Sequence, residues 1–266
     1  MIDSSLGRYM NLVRNIQNWP SYFAHKQSSV FKPTRFVTRG ARLSFEVPTR
    51  ELYLVFKEIF LTDFYSIQTW ADQLAPVPVV IDVGANAGYF NMLMLSKRPD
   101  AKVYAYEAIE SNVRLFEKNI EINPLLHDKI RLFHRAVTGK PMDTITLFKE
   151  ADADHSVTAS VFNDFETHNL TSVTVKAISL AQVLEENKLD HVDFLKLDCE
   201  GSEYPILYES PNDIWKKVKS IFLEVHNLDA STRNFDFIKN FLESKGYHVS
   251  SDLARNGCYA LYARRK

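Results

Sequence analysis

Cysteine is scarce in this chain, which contains two among its 266 residues. Cys199 and Cys258 are too few for a disulfide framework, and no CxxC spacing indicates a zinc site. Reduced thiols are the default for such a chain, as in cytosolic proteins. The sequence also lacks an apolar run of the roughly 20 residues that a membrane-spanning helix needs, and its first 15 residues lack a signal-peptide core. We therefore expect a soluble, cytoplasmic protein.

Net charge is also small, at −1. Such a chain has no overall field that would attract nucleic acid, so we expect no nucleic-acid partner. The basic residues are nevertheless concentrated near the start, because residues 1–45 contain seven Lys or Arg and one acid. This stretch could lie on an anionic membrane, cover an anionic substrate or pack on its own domain. The low density of Lys and Arg favours the last interpretation.

The length and the hydrophobic fraction of 45% are sufficient for one large core. We predict an N-terminal extension over residues 1–75 and a catalytic domain over residues 76–266. Within the extension, the apolar spacing predicts a helix at 5–18, a hairpin at 35–47 and a second helix at 49–61. The extension would act as a lid or as an interface, and a homo-oligomer could form through it.

Strands and helices alternate along the rest of the chain. Apolar or alternating runs predict strands at 77–82, 101–107, 130–137, 143–150, 173–178, 192–198 and 220–226. Ser111 is predicted to cap the helix after the second of these strands, and a further helix is predicted at 231–245 before a closing hairpin. This order predicts a doubly wound α/β fold with a mostly parallel sheet and an antiparallel C-terminal hairpin.

Four acids lie at or near the carboxyl ends of the predicted strands: Asp82, Glu107, Asp198 and Glu224. In open sheets of this kind, ligands bind in the crevice outside those strand ends. The placement of the acids therefore indicates a site at one edge of the sheet.

The first strand leads into a turn framed by Gly84 and Gly88, with Asn86 between them. The dinucleotide fingerprint spaces its outer glycines more widely, so a pyrophosphate cradle fits less well than the amino-acid end of S-adenosylmethionine. Glu107 ends the next strand, where a carboxylate can accept both hydroxyls of a ribose. Alone, these features would be an ordinary tight turn and a solvated strand end. Together they favour an adenosyl ligand.

Three segments resemble the FkbM-type methyltransferases: DVGANAGYF (82–90), YEAIESNVRLFEKNIEIN (106–123) and DFLKLDCEGSEYPIL (193–207), with FLEVHN (222–227) in support. The resemblance implies a Rossmann-like class I methyltransferase fold with seven strands. It also implies methyl transfer from S-adenosylmethionine, usually to a hydroxyl of a sugar, polyketide or other small metabolite. The cofactor contacts that it implies are Asp82, Gly84, Ala85, Asn86, Gly88, Tyr89, Phe90, Glu107, Ala108, Asn112, Ala136 and Val137.

Methyl transfer to a hydroxyl requires alignment of donor and acceptor and a group that takes the proton. Asp198, His226 and Glu203 are the candidate catalytic residues. Glu203 falls in the first turn of a predicted helix, where a carboxylate could equally stabilise the helix start. His226 could accept the hydroxyl proton or could be a surface or capping histidine.

The acceptor side of the site is predicted at Glu200, Ser156 and Asn227. A second mechanism uses a divalent cation held by Asp198, His226 and Asn227, which would lower the pKa of the acceptor hydroxyl. Ligands rich in oxygen would suit magnesium at that position.

Two other functions compete with methylation of a small hydroxylated molecule. One is methylation of RNA or protein, which is weakened by the small net charge and by the absence of an Asn/Asp-Pro-Pro-aromatic motif near Asp198. The other is a non-catalytic partner-binding protein on the same scaffold. The acids and the histidine on the acceptor side argue against that second alternative.

Overall fold

The computed structural model describes residues 5–24, 31–149, 159–160, 171–255 and 257–265. The strands within these residues are β1 (Thr34–Val37), β2 (Ser44–Val47), β3 (Val79–Val83), β4 (Lys102–Glu107), β5 (Ile130–His134), β6 (Ala136–Thr138), β7 (Thr144–Lys149), β8 (Ala159–Ser160), β9 (Thr171–Ser179), β10 (Phe194–Leu197), β11 (Ser220–His226), β12 (Tyr247–Arg255) and β13 (Cys258–Arg265). The α-helices are α1 (Ser5–Asn15), α2 (Ser21–Ala24), α3 (Arg50–Lys57), α4 (Ile67–Trp70), α5 (Tyr89–Lys97), α6 (Glu110–Glu121), α7 (Leu180–Glu186), α8 (Glu203–Glu209), α9 (Ile214–Lys217) and α10 (Phe235–Ser244). Shorter helical turns lie at Glu58–Thr62, Ala71–Gln73 and Pro124–Leu126.

Seven strands form the central sheet, in the order β12-β13-β11-β10-β3-β4-β5. The five strands from β5 to β11 are parallel, and β12 and β13 form an antiparallel hairpin at one edge. The predicted fold class, a doubly wound and mostly parallel seven-stranded sheet, is therefore confirmed. From β3 the chain builds outward to β4 and β5, and then returns to place β10 on the other side of β3. Such a switch point opens a crevice at the carboxyl ends of the strands.

The sheet is buried on both faces, because successive residues of a strand point to opposite sides. Val80 of β3 and Phe222 of β11 belong to one hydrophobic cluster, whereas Ile81 and Leu223 belong to the other. The first cluster also contains the buried apolar residues of the N-terminal extension, including Phe45. The extension thus shares a core with the catalytic domain and covers one face of its sheet.

A smaller sheet, in the order β6-β9-β7-β8, stands beside the central one. The prediction of a single strand at 130–137 is wrong, because the structure divides these residues between β5 and β6. The chain turns at Arg135, whose N–H donates to the Phe133 carbonyl, and β6 then pairs with β9 instead of β4. The apolar pattern of the sequence continues from β5 into β6, so it does not indicate that the two strands pair with different neighbours.

Three predicted helix boundaries also change. Helix α6 begins at Glu110 without a cap from Ser111, because the Glu107 carboxylate accepts from the Ile109 N–H just before the helix. The helix predicted at 49–61 ends as α3 and continues as the wider turn at Glu58–Thr62. Helix α10 starts later than predicted, since the Asn234 side chain caps it. In the described part of the chain, no helix has the length and apolar character needed to cross a bilayer.

Two buried asparagines, Asn119 within helix α6 and Asn123 just after it, hold the extension against the catalytic domain. Asn119 accepts from the Glu46 N–H at 2.9 Å and donates to the Ala87 carbonyl at 3.1 Å. Asn123 makes a reciprocal pair with the backbone of Ser44, at 2.7 and 2.6 Å. Strand β2 therefore depends on these two asparagine side chains for hydrogen bonds that would otherwise be made within a sheet.

We predict that Asn119→Ala lowers the free energy of unfolding by about 2–3 kcal/mol, because it leaves two backbone groups in the interior without a partner. The matched control is Lys118→Ala on the same helix. It removes an exposed ion pair with Glu46 and should cost less than about 1 kcal/mol. Denaturant unfolding of the two variants gives the comparison, and equal losses would contradict this role for Asn119.

Candidate active site

A crevice lies at the switch point of the sheet, between the ends of β3, β4 and β10. It is lined by most of the residues predicted to contact a cofactor, namely Gly84, Ala85, Asn86, Tyr89, Phe90, Glu107, Ala108, Asn112, Ala136 and Val137. Two of the predicted contacts, Asp82 and Gly88, do not line it. The division of strand 130–137 matters here, because it is β6, at the start of the smaller sheet, that brings Ala136 and Val137 to the crevice.

Close approach of backbone and side chains explains the two glycines of the β3–α5 turn. Gly84 has φ +76°, and a Cβ on it would lie 1.9 Å from the carbonyl oxygen of Asp198. Gly88 has φ +80°, and its Cβ would lie 2.2 Å from the ring of Phe116 in α6. The turn therefore fits only because these positions have no side chain. Gly88 therefore contributes to the site through its packing against Phe116, and not by lining the crevice.

Glu107 lies at the end of β4 with 6% of its surface exposed. One carboxylate oxygen accepts from the Asn86 N–H at 2.7 Å and the other from the Ile109 N–H at 2.8 Å. Burial raises the pKa of Glu107, and the backbone N–H groups oppose that shift. The carboxylate is thus fixed in front of the glycine turn, at the wall of the crevice.

Lys196 lines the crevice but is absent from the residues predicted from the sequence. It lies in β10 with 1% of its surface exposed, and its ammonium is 2.9 Å from both Asp82 Oδ1 and the Gly84 carbonyl oxygen. Burial by itself would lower the pKa of Lys196, but the charges of Asp82 and Asp198 raise it well above its usual value. The second oxygen of Asp82 accepts from Asn91 at 2.6 Å. Asp82 therefore holds Lys196 in place from behind the crevice wall. The sequence did contain a signal for this residue, because Lys196 is a lysine inside an otherwise apolar predicted strand.

Asp198 follows β10 directly and lines the crevice. Its Oδ2 accepts from the Tyr65 hydroxyl at 2.5 Å and is 3.6 Å from the Lys196 ammonium. Burial would raise the pKa of Asp198, but the charge of Lys196 and a hydrogen bond with Glu224 lower it. Burial and the charge of Asp198 raise the pKa of Glu224 well above its usual value. The pKa values of these two neighbouring carboxyl groups are therefore shifted in opposite directions.

His226 ends β11 with 14% of its side chain exposed, beside two carboxylates. Its Nε2 lies 3.5 Å from Glu224 Oε1 and 4.0 Å from Glu200 Oε2. The Cys258 thiol donates to Glu224 Oε1 at 3.0 Å. Glu224 and Glu200 line the crevice, whereas His226 does not. The histidine thus lies behind these two acids.

The structure assigns Glu203 to the turn after β10 and not to the crevice wall. Its carboxylate accepts from the Cys199 N–H at 2.6 Å and from the Gly201 N–H at 2.7 Å, and 1% of the residue is exposed. Burial raises the pKa of Glu203 to about 7. Of the two interpretations of this residue, these contacts favour stabilisation of the helix start.

Asn227, predicted as a metal ligand and as an acceptor contact, does not line the crevice. Its Oδ1 accepts from the Phe235 N–H at 2.8 Å and so supports the start of α10. Ser156, the remaining acceptor prediction, lies outside the described residues.

Comparison with known proteins agrees with this geometry. Residues 82–249 match the family described as Methyltransferase FkbM domain. Methyltransferase 1 of Beauveria bassiana is 26% identical over 219 residues, which is 75% of this chain and 82% of that protein. The AMB antimetabolite synthetase AmbE of Pseudomonas aeruginosa is 26% identical over 250 residues, which is 79% of this chain and 12% of that protein. The solved structure of a SAM-dependent methyltransferase from Agrobacterium tumefaciens superimposes with a TM-score of 0.49 at 10% identity, covering 90% of this chain and 72% of that one. Since the family match spans more than half of the chain, this protein belongs to the FkbM methyltransferases and depends on S-adenosylmethionine.

Proposed function

We propose that this methyltransferase transfers its methyl group to a hydroxyl of a small metabolite, with cofactor and acceptor meeting in the crevice at the switch point. One observation carries the proposal. The buried carboxylate of Glu107 and the carboxylate of Asp198 line the same crevice, on either side of the glycine turn. The first suits a ribose, and the second suits the hydroxyl that receives the methyl group.

The residues present fit S-adenosylmethionine. Glu107 is oriented by two backbone N–H groups, so its carboxylate would accept the ribose hydroxyls without further ordering. Ala136 and Val137 offer apolar surface for the adenine. The Gly84 carbonyl is held by Lys196, which keeps the turn for the amino-acid end in place. When bound, the cofactor supplies a sulfonium methyl group, and the chain supplies alignment.

Asp198 is the residue we propose to accept the proton of the acceptor hydroxyl. Tyr65 and Lys196 fix its position, so it need not reorganise when the proton moves. Glu200, also on the crevice wall, would hydrogen-bond another hydroxyl of the acceptor. A carboxylate-rich acceptor side suits a neutral hydroxylated molecule. The relationship with an antimetabolite synthetase is consistent with a small-molecule acceptor.

The N-terminal extension is proposed to cover the acceptor side as a lid. Val55, Glu58, Ile59 and Tyr65 of the extension line the crevice. The wider helical turn at Glu58–Thr62 rotates the end of α3, and the chain then reverses at Asp63, which has φ +52°. Tyr65 reaches Asp198 from this segment. One hydrogen bond therefore joins the proposed lid to Asp198, the proposed proton acceptor.

The turn offers a direct test of the cofactor site. We predict that Gly84→Ala weakens binding of S-adenosylhomocysteine at least about 100-fold, since the methyl group must displace the Asp198 carbonyl. The matched control is Gly257→Ala, which also has positive φ but no atom within 4 Å of its Cβ. It should cost about 1–2 kcal/mol in stability and leave affinity unchanged. Calorimetric titration measures both variants. Wild-type affinity in Gly84→Ala would remove the turn from the site.

The acceptor side is tested with Asp198→Asn. This variant keeps the shape of the side chain but cannot take the proton, so turnover should fall by about 10²–10⁴-fold while S-adenosylhomocysteine affinity stays within about threefold. Transfer of a labelled methyl group to a panel of hydroxylated metabolites provides the assay. Asp213→Asn, an exposed site on another part of the surface, should behave as wild type. Undiminished turnover in Asp198→Asn would exclude it as the proton acceptor.

A further inference from the structure

Three side chains of different chemistry converge behind the acceptor end of the crevice. Glu224 and His226 lie two residues apart on β11 and therefore face the same side of the sheet. Cys258 begins β13 and is paired in register with His226. One ligand atom from each of the three lies within 4.8 Å of the others. The antiparallel C-terminal hairpin thus brings a thiol to a carboxylate and an imidazole that are distant in sequence.

The spacing of these atoms resembles the edges of a tetrahedral metal site. Ligand distances of 2.0–2.3 Å to zinc correspond to separations of about 3.3–3.8 Å between neighbouring ligand atoms. In the structure, Glu224 Oε1 is 3.0 Å from Cys258 Sγ and 3.5 Å from His226 Nε2. Rotations of the three side chains would bring their ligand atoms to bonding distance of one ion.

The chemistry of the donors selects the kind of ion. Thiolate and imidazole favour zinc and similar transition metals over magnesium, which prefers oxygen ligands. Asp198 and Glu200 bring further negative charge to the same region, and the nearby Lys196 ammonium is already engaged with Asp82 and Asp198. A dication would offset this charge in a partly buried environment.

We propose that Glu224, His226 and Cys258 bind one divalent transition-metal ion of the zinc class. Three protein ligands leave one coordination position of a tetrahedral ion for a further ligand. Glu224 lines the crevice, and Glu200 Oε2 lies 4.0 Å from His226 Nε2. This proposed ligand set differs from the magnesium ligands predicted from the sequence, which are Asp198, His226 and Asn227. Binding of the ion does not depend on the acceptor proposed above.

Cobalt(II) is the probe, because its bond to a thiolate gives an absorption band in the near ultraviolet. Chelator-treated protein, reduced with a phosphine, is titrated with Co²⁺ in the absence of cofactor and acceptor. We expect one equivalent to produce the band and Zn²⁺ to remove it by displacement. The absence of a band at millimolar Co²⁺ would overturn the proposal and leave a hydrogen-bonded cluster only.

The two cysteines of the chain provide a matched pair of variants. Cys258→Ser should abolish the band, whereas Cys199→Ser should retain it at full intensity. A band that survives in Cys258→Ser, or that is lost only in Cys199→Ser, would contradict the assignment. Circular dichroism checks that each variant folds.

Glu224→Gln gives a second test that keeps both thiols. It should preserve the band but weaken Co²⁺ binding at least about tenfold, and unchanged affinity would exclude the carboxylate as a ligand. Because each titration is read without methyl transfer, failure of the metal site is distinguishable from failure of the proposed reaction.

Discussion

The buried ammonium group of Lys196 is the interaction on which the site depends. It joins the carboxylate of Asp82, the carbonyl of Gly84 and the carboxylate of Asp198, and so connects β3, the glycine turn and the end of β10. Burying an ion is costly, and it is tolerated here because two opposite charges and a backbone acceptor surround it. Loss of the ammonium group would leave the carboxylates of Asp82 and Asp198 in the interior without a compensating charge.

Strands β3 and β10 also form the switch point of the sheet, so the contacts of Lys196 also shape the crevice. The close approach that excludes a side chain at Gly84 sets the distance between the two halves of the site. Tyr65 then ties the N-terminal extension to Asp198. The cofactor side, the acceptor side and the covering segment are therefore positioned by one connected set of hydrogen bonds and charges.

Burial divides the acids of the site into different roles. Glu107 is fixed by backbone N–H groups at the crevice wall, while Glu203 uses both of its oxygens to close the turn that follows β10. Lys196 lowers the pKa of Asp198, whereas burial and the charge of Asp198 raise the pKa of Glu224. All four residues are acids at or near strand ends or, for Glu203, at the start of the next helix. Their residue type alone could not separate these roles, which depend on neighbours from other segments.

The sequence by itself determined the sheet, the glycine turn and the family, because strand periodicity, turn chemistry and contiguous motifs are local properties. It also placed Glu107 and Asp198 at the strand ends that form the crevice. Only the tertiary structure decided that residues 130–137 divide between two sheets and that Asn227 supports a helix. It also brought Cys258 next to His226. Each of these outcomes depends on which distant segment a strand pairs with, and no local pattern records that choice.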